Sequence, residues 1–457
     1  MSRQLWRALA ATSILTLVAG ACGNSGDDES APTTAADDGG PAPTDGRGDD
    51  ERDTFVSLSG VPGVTDDEIG YAVIGTLTAN PLGTCLFDCY LDGIEAYFAF
   101  RNSEGGIFGR DLVVSQELDD ALGNNQARSL EVTSGDDAFG AFQATLVASG
   151  WGDLDAAGVP TYTWGIHAAE AANRPHIFPS IAIRCGDCTG RAVPYAVQEA
   201  GATKVATLGY GISENSKVCT NSVADSVELY TDDIGAEVVY VNDELAYGLG
   251  GGIGPEVTAM KDAGVDFIAT CIDLNGMKTL AQELSRQGMD DVTLYHPNTY
   301  NQAFVAEAGD LFEGDFVSVQ FLPFEADSEG TALADFLTWM EETGSEPSEL
   351  AMAGWINATL AFEGLLAAGP EFDRDKVTAA TNALTEFTAG GLIEPIDWTD
   401  AHTPFTDDTR PESTDPECGS LVRVVDGAFE TVAPPDTPWV CFPSGTDWAE
   451  PEFTSFG

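Results

Sequence analysis

Hydrophobic and polar positions divide the chain into three regimes. Residues 9–18 form a mostly apolar run interrupted by Thr12 and Ser13. Residues 23–54 then contain no Leu, Ile, Val or aromatic side chain. From about residue 67, short apolar runs alternate with segments of helical period. IGYAVIGTL (69–77) has the length and composition of a buried parallel strand. A loop, TANPLGTCLFDC, leads into YLDGIEAYFAFRNSEGG, where Leu91, Ile94, Tyr97 and Phe98 recur at helical spacing. Gly105 and Gly106 stop that helix. RDLVVSQEL predicts the next strand, NNQARSLEV a second helix, AFGAFQATL a third strand region and GVPTYTWG a fourth. Strand and helix in alternation imply a parallel sheet covered by helices on both faces.

The alternation restarts further on. KVATLGY (204–210) reads as a strand and CTNSVADSVELYTDDIG as a helix closed by Gly235. AEVVYVND is a strand, and PEVTAMKDAG a helix with Pro255 in its first turn and Gly264 at its end. VDFIATCID and VTLYHP continue the sheet. The fold class is α/β: two similar lobes with parallel sheets and a cleft between them.

The chain's start has a separate logic. Arg3 and Arg7 precede an apolar run too short to span a bilayer but suited to an export signal over residues 1–21. Ala19, Gly20 and Ala21 stand directly before Cys22, a pattern that resembles the bacterial lipobox, with Cys22 as the lipidated residue. Residues 23–54 carry ten acids against Arg47 and Arg52 and cannot bury enough apolar surface to order themselves. Residues 22–54 are therefore expected to be a lipidated, disordered tether. No other segment is read as long and apolar enough to span a membrane. The expected location is extracytoplasmic, held to the cell membrane by the lipid alone.

Charge and cysteine count narrow the classes further. Lys and Arg total 19 against 75 Asp and Glu, a formal net charge of −56. That excludes nucleic acid as a partner and predicts repulsion from anionic lipid. It reads as a solvated surface suited to a medium whose salt screens repulsion. No D-x-[DN]-x-[DN]-G calcium loop is present. Setting Cys22 aside leaves Cys85, Cys89, Cys185, Cys188, Cys219, Cys271, Cys418 and Cys441, an even set that outside the cytoplasm reads as up to four disulfides. A zinc site built from CLFDC and CGDC is disfavoured by their unequal gaps and distance in sequence. A redox CxxC lacks a thioredoxin-like surrounding.

DGIEAYFAFRNSEGGIFGRDLVV resembles the first helix and turn of type I periplasmic binding proteins of the branched-chain amino acid group, with its N-x-x-GGI-x-GR-x-L turn. ELDDALGNNQARSLEV is similar to that family's following acidic turn and helix. EVTAMKDAGVDFIATCIDLNGMKTLAQELSRQG resembles its second-lobe helix–strand–helix unit, and MAGWINATLAFEGLLAAG its long late helix. The resemblance runs in order over about residues 67–400. It implies lobe I over 67–182 and 320–400, lobe II over 183–319 and a multi-strand hinge. Beyond it, Cys418 and Cys441 bracket LVRVVDGAFETV, whose Asp-Gly turn predicts a hairpin, so residues 401–457 are expected to be a C-terminal hairpin or flap region.

The function so implied is a solute receptor for an ABC importer: a monomer that closes on a small polar solute, an amino acid or related amide, and docks on a membrane permease. Ligands in such proteins lie at the carboxyl ends of the parallel strands. The resemblance therefore points to Leu86, Gln143, Ala144, Thr145, Thr163, Trp164 and Gly165 in lobe I. In lobe II it points to Glu214, Asp273 and Asn275. This chain departs from the family at two places. The glutamate that receives a ligand ammonium aligns with Asn275, leaving Asp273 or Glu214 as substitutes, and Trp164 stands where a smaller residue is usual. In the same frame Cys219 pairs with Cys271, and Cys418 with Cys441. Cys85, Cys89, Cys185 and Cys188 form local pairs or cross-pair.

Enzyme motifs are missing. GISEN misses the G-x-S-x-G elbow by its last residue, GLGGGIGP fails the G-x-G-x-x-G spacing, and no Walker A lysine occurs. His167, His176, His296 and His402 include no pair at metal-ligand spacing. The expectation is a binding protein with no catalytic residue, cofactor or metal. A ligand-sensing receptor is the alternative class and a hydrolase a distant third.

Overall fold

The apolar run at 69–77 becomes β1 (Glu68–Gly75), of which every residue after Glu68 is buried. The computed structural model containing it describes residues 52–81, 84–183, 187–297, 300–329, 331–404 and 417–456. The expected signal peptide, Cys22, nearly all of the tether, and Cys185 lie outside these residues.

β1 lies between β2 (Asp111–Asp119) and β3 (Gly140–Ala144), with β4 (Thr161–Thr163) and β5 (Ile177–Pro179) beyond β3, all parallel. The second sheet holds β6 (Lys204–Tyr210), β7 (Glu237–Leu245), β8 (Phe267–Cys271), β9 (Thr293–His296) and β10 (Phe316–Val319). Its parallel part runs β7-β6-β8-β9-β10. Helices supply the crossovers that parallel strands need. Those that bear on the site are α1 (Phe87–Ser103), α2 (Glu214–Leu229), α3 (Leu274–Arg286) and α4 (Glu349–Ala368).

The turn after α1 is built by its glycines and one arginine. Gly105, Gly106 and Gly109 all have positive φ, and a Cβ on Gly106 would lie 2.0 Å from the Arg110 carbonyl oxygen. The buried Arg110 guanidinium donates to the carbonyls of Thr65 (2.6 Å), Val56 (2.7 Å) and Phe108 (3.2 Å). It ties the turn to the segment that precedes β1.

α4 follows the parallel strands of the second sheet in sequence but packs on α1 and β4 of the first. The two helices cross backbone to backbone. A Cβ on Gly93 would stand 1.8 Å from the Ala351 carbonyl oxygen, and one on Gly354 2.2 Å from that of Tyr90. Beside this crossing Asn357 Nδ2 donates to Tyr90 Oη (2.6 Å), which donates to the Tyr162 carbonyl (3.3 Å). α4 amends one expectation: with a mean hydropathy of 1.3 it is long and apolar enough to cross a membrane. Here that apolarity is spent on the core, where residues 351–362 are all buried.

The C-terminal strands differ from the expected flap. β11 (Glu417–Val425) pairs antiparallel with β10, and β13 (Trp439–Phe442) and β14 (Glu452–Thr454) extend the second sheet beyond it. β12 (Ala428–Thr431) turns back on β11 through Asp426 and Gly427, both at positive φ, as a two-residue Asp-Gly hairpin requires. Cys418 and Cys441 face each other in register and are bridged. β10 would otherwise be an exposed edge, and adding β11 satisfies it. Glu417 anchors the addition. Its carboxylate accepts from the backbone amides of Arg191 (2.7 Å) and Ala192 (3.0 Å) and from Arg191 Nε (3.2 Å), and both side chains are nearly inaccessible.

Candidate ligand-binding site

The carboxyl ends of both parallel sheets face one cavity of about 790 Å³. From the first sheet, the loop after β1 supplies Thr84, Cys85 and Leu86, the first turn of α1 supplies Cys89, bridged to Cys85, and the end of β4 supplies Trp164. From the second, Tyr210 closes β6, Cys271 closes β8, and Ile272 and Asp273 follow it. Tyr247 comes from the connection after β7. Tyr300, Phe324 and the segment Glu346 to Leu350 complete the wall.

Local sequence explains this convergence. Ser213, Asp273 and Ser348 are the N-caps of α2, α3 and α4, and their side chains accept from the amides of Ser216, Gly276 and Ala351. All three caps line the cavity, so three helix amino termini are fixed toward it. The Cys219–Cys271 bridge ties α2 to the end of β8 at the same wall. Ser216 Oγ donates to the Cys271 carbonyl (2.5 Å) and accepts from the Tyr210 amide (2.6 Å). Cys188 is disulfide-bonded as well.

Of the residues singled out in the sequence, Leu86, Trp164 and Asp273 stand on the cavity wall. Trp164 is half-buried, its amide bonded to the Gln143 carbonyl (2.9 Å) and its own carbonyl to Ser180 Oγ (2.9 Å). The Asp273 carboxylate accepts from the Gly276 amide (2.8 Å) and Tyr210 Oη (3.1 Å), so it caps α3 and orients a ring of the wall at once. The others lie elsewhere. Gln143, Ala144 and Thr163 are fully buried within their strands. Thr145 donates its hydroxyl to Asp120 (2.5 Å), away from the lining. Gly165, Glu214 and Asn275 are exposed and off the wall.

Asp119 and Asp120 explain the diversion. Asp119 accepts from the amides of Leu77, Thr78 and Ala121 and from the Thr78 hydroxyl. Burial alone would raise its carboxyl, but these hydrogen bonds hold it below its ordinary value. The acidic turn thus serves the loops of the first sheet, and Thr145 is part of that scaffold.

Five aromatic rings reach the cavity: Trp164, Tyr210, Tyr247, Tyr300 and Phe324. Tyr210 and Tyr247 have centroids 5.1 Å apart, and Tyr300 and Phe324 5.2 Å apart. Tyr210 was legible as the last residue of its strand; the other three arrive on connections that periodicity does not resolve. Glu349 was also missed. It is the first residue of α4, half-buried, and burial pushes its carboxyl up to about 7. Among the described lining residues there is no Lys, Arg or His.

A family model described as "Periplasmic binding protein" matches residues 73–413. Solved structures share the fold at low identity. A solute-binding protein of an ABC transporter from R. palustris, in complex with 4-hydroxybenzoate, is 17% identical, with a TM-score of 0.63 over 84% of this chain and 99% of its own. A leucine-binding protein from Thermotoga maritima is 15% identical, with a TM-score of 0.62 over 80% and 98%. A fatty acid ABC transporter substrate-binding protein from Thermomonospora curvata is 16% identical, with a TM-score of 0.58 over 84% and 95%. No curated protein matches the chain by sequence.

Proposed function

The chain belongs to the periplasmic binding protein family, and from that premise we propose that it is the extracytoplasmic solute-binding protein of an ABC importer. It binds a small solute between its lobes without catalysis and delivers it to a membrane permease. The observation that carries this reading is the 790 Å³ cavity walled by the carboxyl ends of both sheets. A volume of that size suits a single small molecule. Because the two lobes both contribute walls, a ligand gains contacts from each only when they come together, and that differential affinity drives closure. Lipidation of Cys22 and the acidic spacer behind it would keep the monomeric body near its permease.

Binding to the folded state alone raises the melting temperature by mass action, equivalent to about 2.7 kcal/mol at a hundredfold excess over Kd. A thermal-shift screen of amino acids, amides, amines and aromatic acids is therefore expected to find solutes that stabilise the protein. Trp164→Ala removes the largest ring of the first-sheet wall and is expected to abolish the shift while leaving the unliganded melting temperature within a few degrees. A shift of equal size in Trp164→Ala would place the ligand elsewhere. No shift by any solute in the wild type would count against solute binding.

A further inference from the structure

We propose that the solute is an organic monocation with an apolar or aromatic body, and that Glu349 is its counter-charge; this rests on reading the interlobe cavity as the solute site. The wall chemistry is one-sided. Asp273, Glu346 and Glu349 line the cavity, and no cationic side chain does so among the described residues. Among the described lining residues, a solute carried by its carboxylate finds no guanidinium, ammonium or imidazole to receive it.

Helix amino termini are the alternative anion donors, so they need weighing. Each presents about half a positive elementary charge. α3 and α4 carry a full carboxylate at that same end, Asp273 as N-cap and Glu349 as first residue, so both ends are net negative when ionised. Three hydroxyls nearby already donate, Ser216 to the Cys271 carbonyl, Tyr210 to Asp273 and Tyr300 to Glu325, while the cap hydroxyls of Ser213 and Ser348 accept from their helix amides. Gln302 donates to Glu325.

The rings supply the other half. Aromatic faces attract cations through their quadrupole and cover the apolar body of an amine. Trp164 on one wall and the Tyr210–Tyr247 and Tyr300–Phe324 pairs on the other frame the space beside the carboxylates. The chain's charge of −56 raises the local concentration of cations and steers them in.

Glu349 is a costly residue to keep without a ligand. Its folded pKa of about 7 lies above the ordinary 4.5, so its contribution to stability is full below about pH 4.5 and is lost as pH rises through 7. The other titratable groups on the cavity are Asp273, Glu346, Tyr210, Tyr247 and Tyr300, with Glu325 behind Tyr300. Burial raises the Tyr210, Tyr247 and Tyr300 phenols, which stay neutral at pH 8, so no group in this set supplies a positive charge to offset an ionised Glu349.

The test is calorimetric titration of the full-length protein at pH 8 with tyramine, benzylamine, butylamine and choline. The matched anions are 4-hydroxyphenylacetate, benzoate and pentanoate, and leucine serves as a zwitterion. At least one amine is expected to bind while the carboxylates do not, and Glu349→Gln is expected to weaken that amine by about tenfold or more. The variant should fold: its melting temperature is expected to exceed that of the wild type at pH 8 and to match it at pH 5. Two results would overturn the inference and leave solute binding standing. One is a carboxylate or leucine that binds as tightly as the best amine; the other is an amine affinity unchanged in Glu349→Gln. No binding by any probe, of either charge, would remove the inference and the solute-binding reading together.

Discussion

Gly93→Ala is expected to destabilise the protein by about 3 kcal/mol or more, near or beyond the upper end for overpacked cores. The added methyl would stand 1.8 Å from the Ala351 carbonyl oxygen, a backbone atom held in the capped first turn of α4 that cannot rotate away. Gly354→Ala meets the Tyr90 carbonyl oxygen at 2.2 Å from the opposite side and is expected to behave alike. In either case α1 and α4 must separate. That strains the Asn357–Tyr90–Tyr162 chain that holds β4, and hence Trp164, against the cavity. Gly152→Ala is the control: that glycine is also helical, and nothing lies within 4 Å of where its methyl would go. Chemical denaturation midpoints check this. Equal midpoints for Gly93→Ala and Gly152→Ala would contradict the packing described.

The second large effect is expected at Glu417. Glu417→Ala should cost about 3–5 kcal/mol, the range for breaking a buried ion pair from one side. Arg191 would keep its charge in a nearly inaccessible position, and the amides of Arg191 and Ala192 would lose their acceptor. A double Arg191→Met, Glu417→Met variant removes the stranded charge but leaves those amides unsatisfied, so it should recover only part of the loss. Because Glu417 sits at the start of β11, the loss is expected to loosen β11 to β14 first. Limited proteolysis near residue 417 under native conditions would report it. Resistance equal to the wild type would show that the Cys418–Cys441 bridge alone holds the extension.

Much of the fold was legible because both sheets are covered on both faces. Strands such as GAFQA (140–144) and FIATC (267–271) are buried throughout, so apart from Gln143 and Thr270 they read as apolar runs rather than alternating ones. The Cys219–Cys271 bridge was legible for a related reason: the sheet brings a helix start and a neighbouring strand end to the same edge. The β11–β12 hairpin was legible from its Asp-Gly turn, but its place was not, since nothing in LVRVVDGAFETV says that β10 offers a free edge for it to join. The site was legible only at strand ends. Trp164, Tyr210 and Asp273 follow or close parallel strands, whereas Tyr300, Phe324 and Glu349 lie on segments whose paths across the cleft depend on tertiary packing. Thr145 shows the converse. It sits just past a strand end, but Asp120 takes its hydroxyl, a contact that no local pattern announces.

Hydrogen–deuterium exchange with and without a saturating solute from the thermal-shift screen tests most directly that the cleft between the sheets is the binding site. Slower exchange is expected on both walls at once: around residues 84–91, 164 and 346–351 on the first sheet's side, and around 210–219 and 271–277 on the other. Protection confined to one wall, or centred away from these segments, would contradict a solute held between the two lobes.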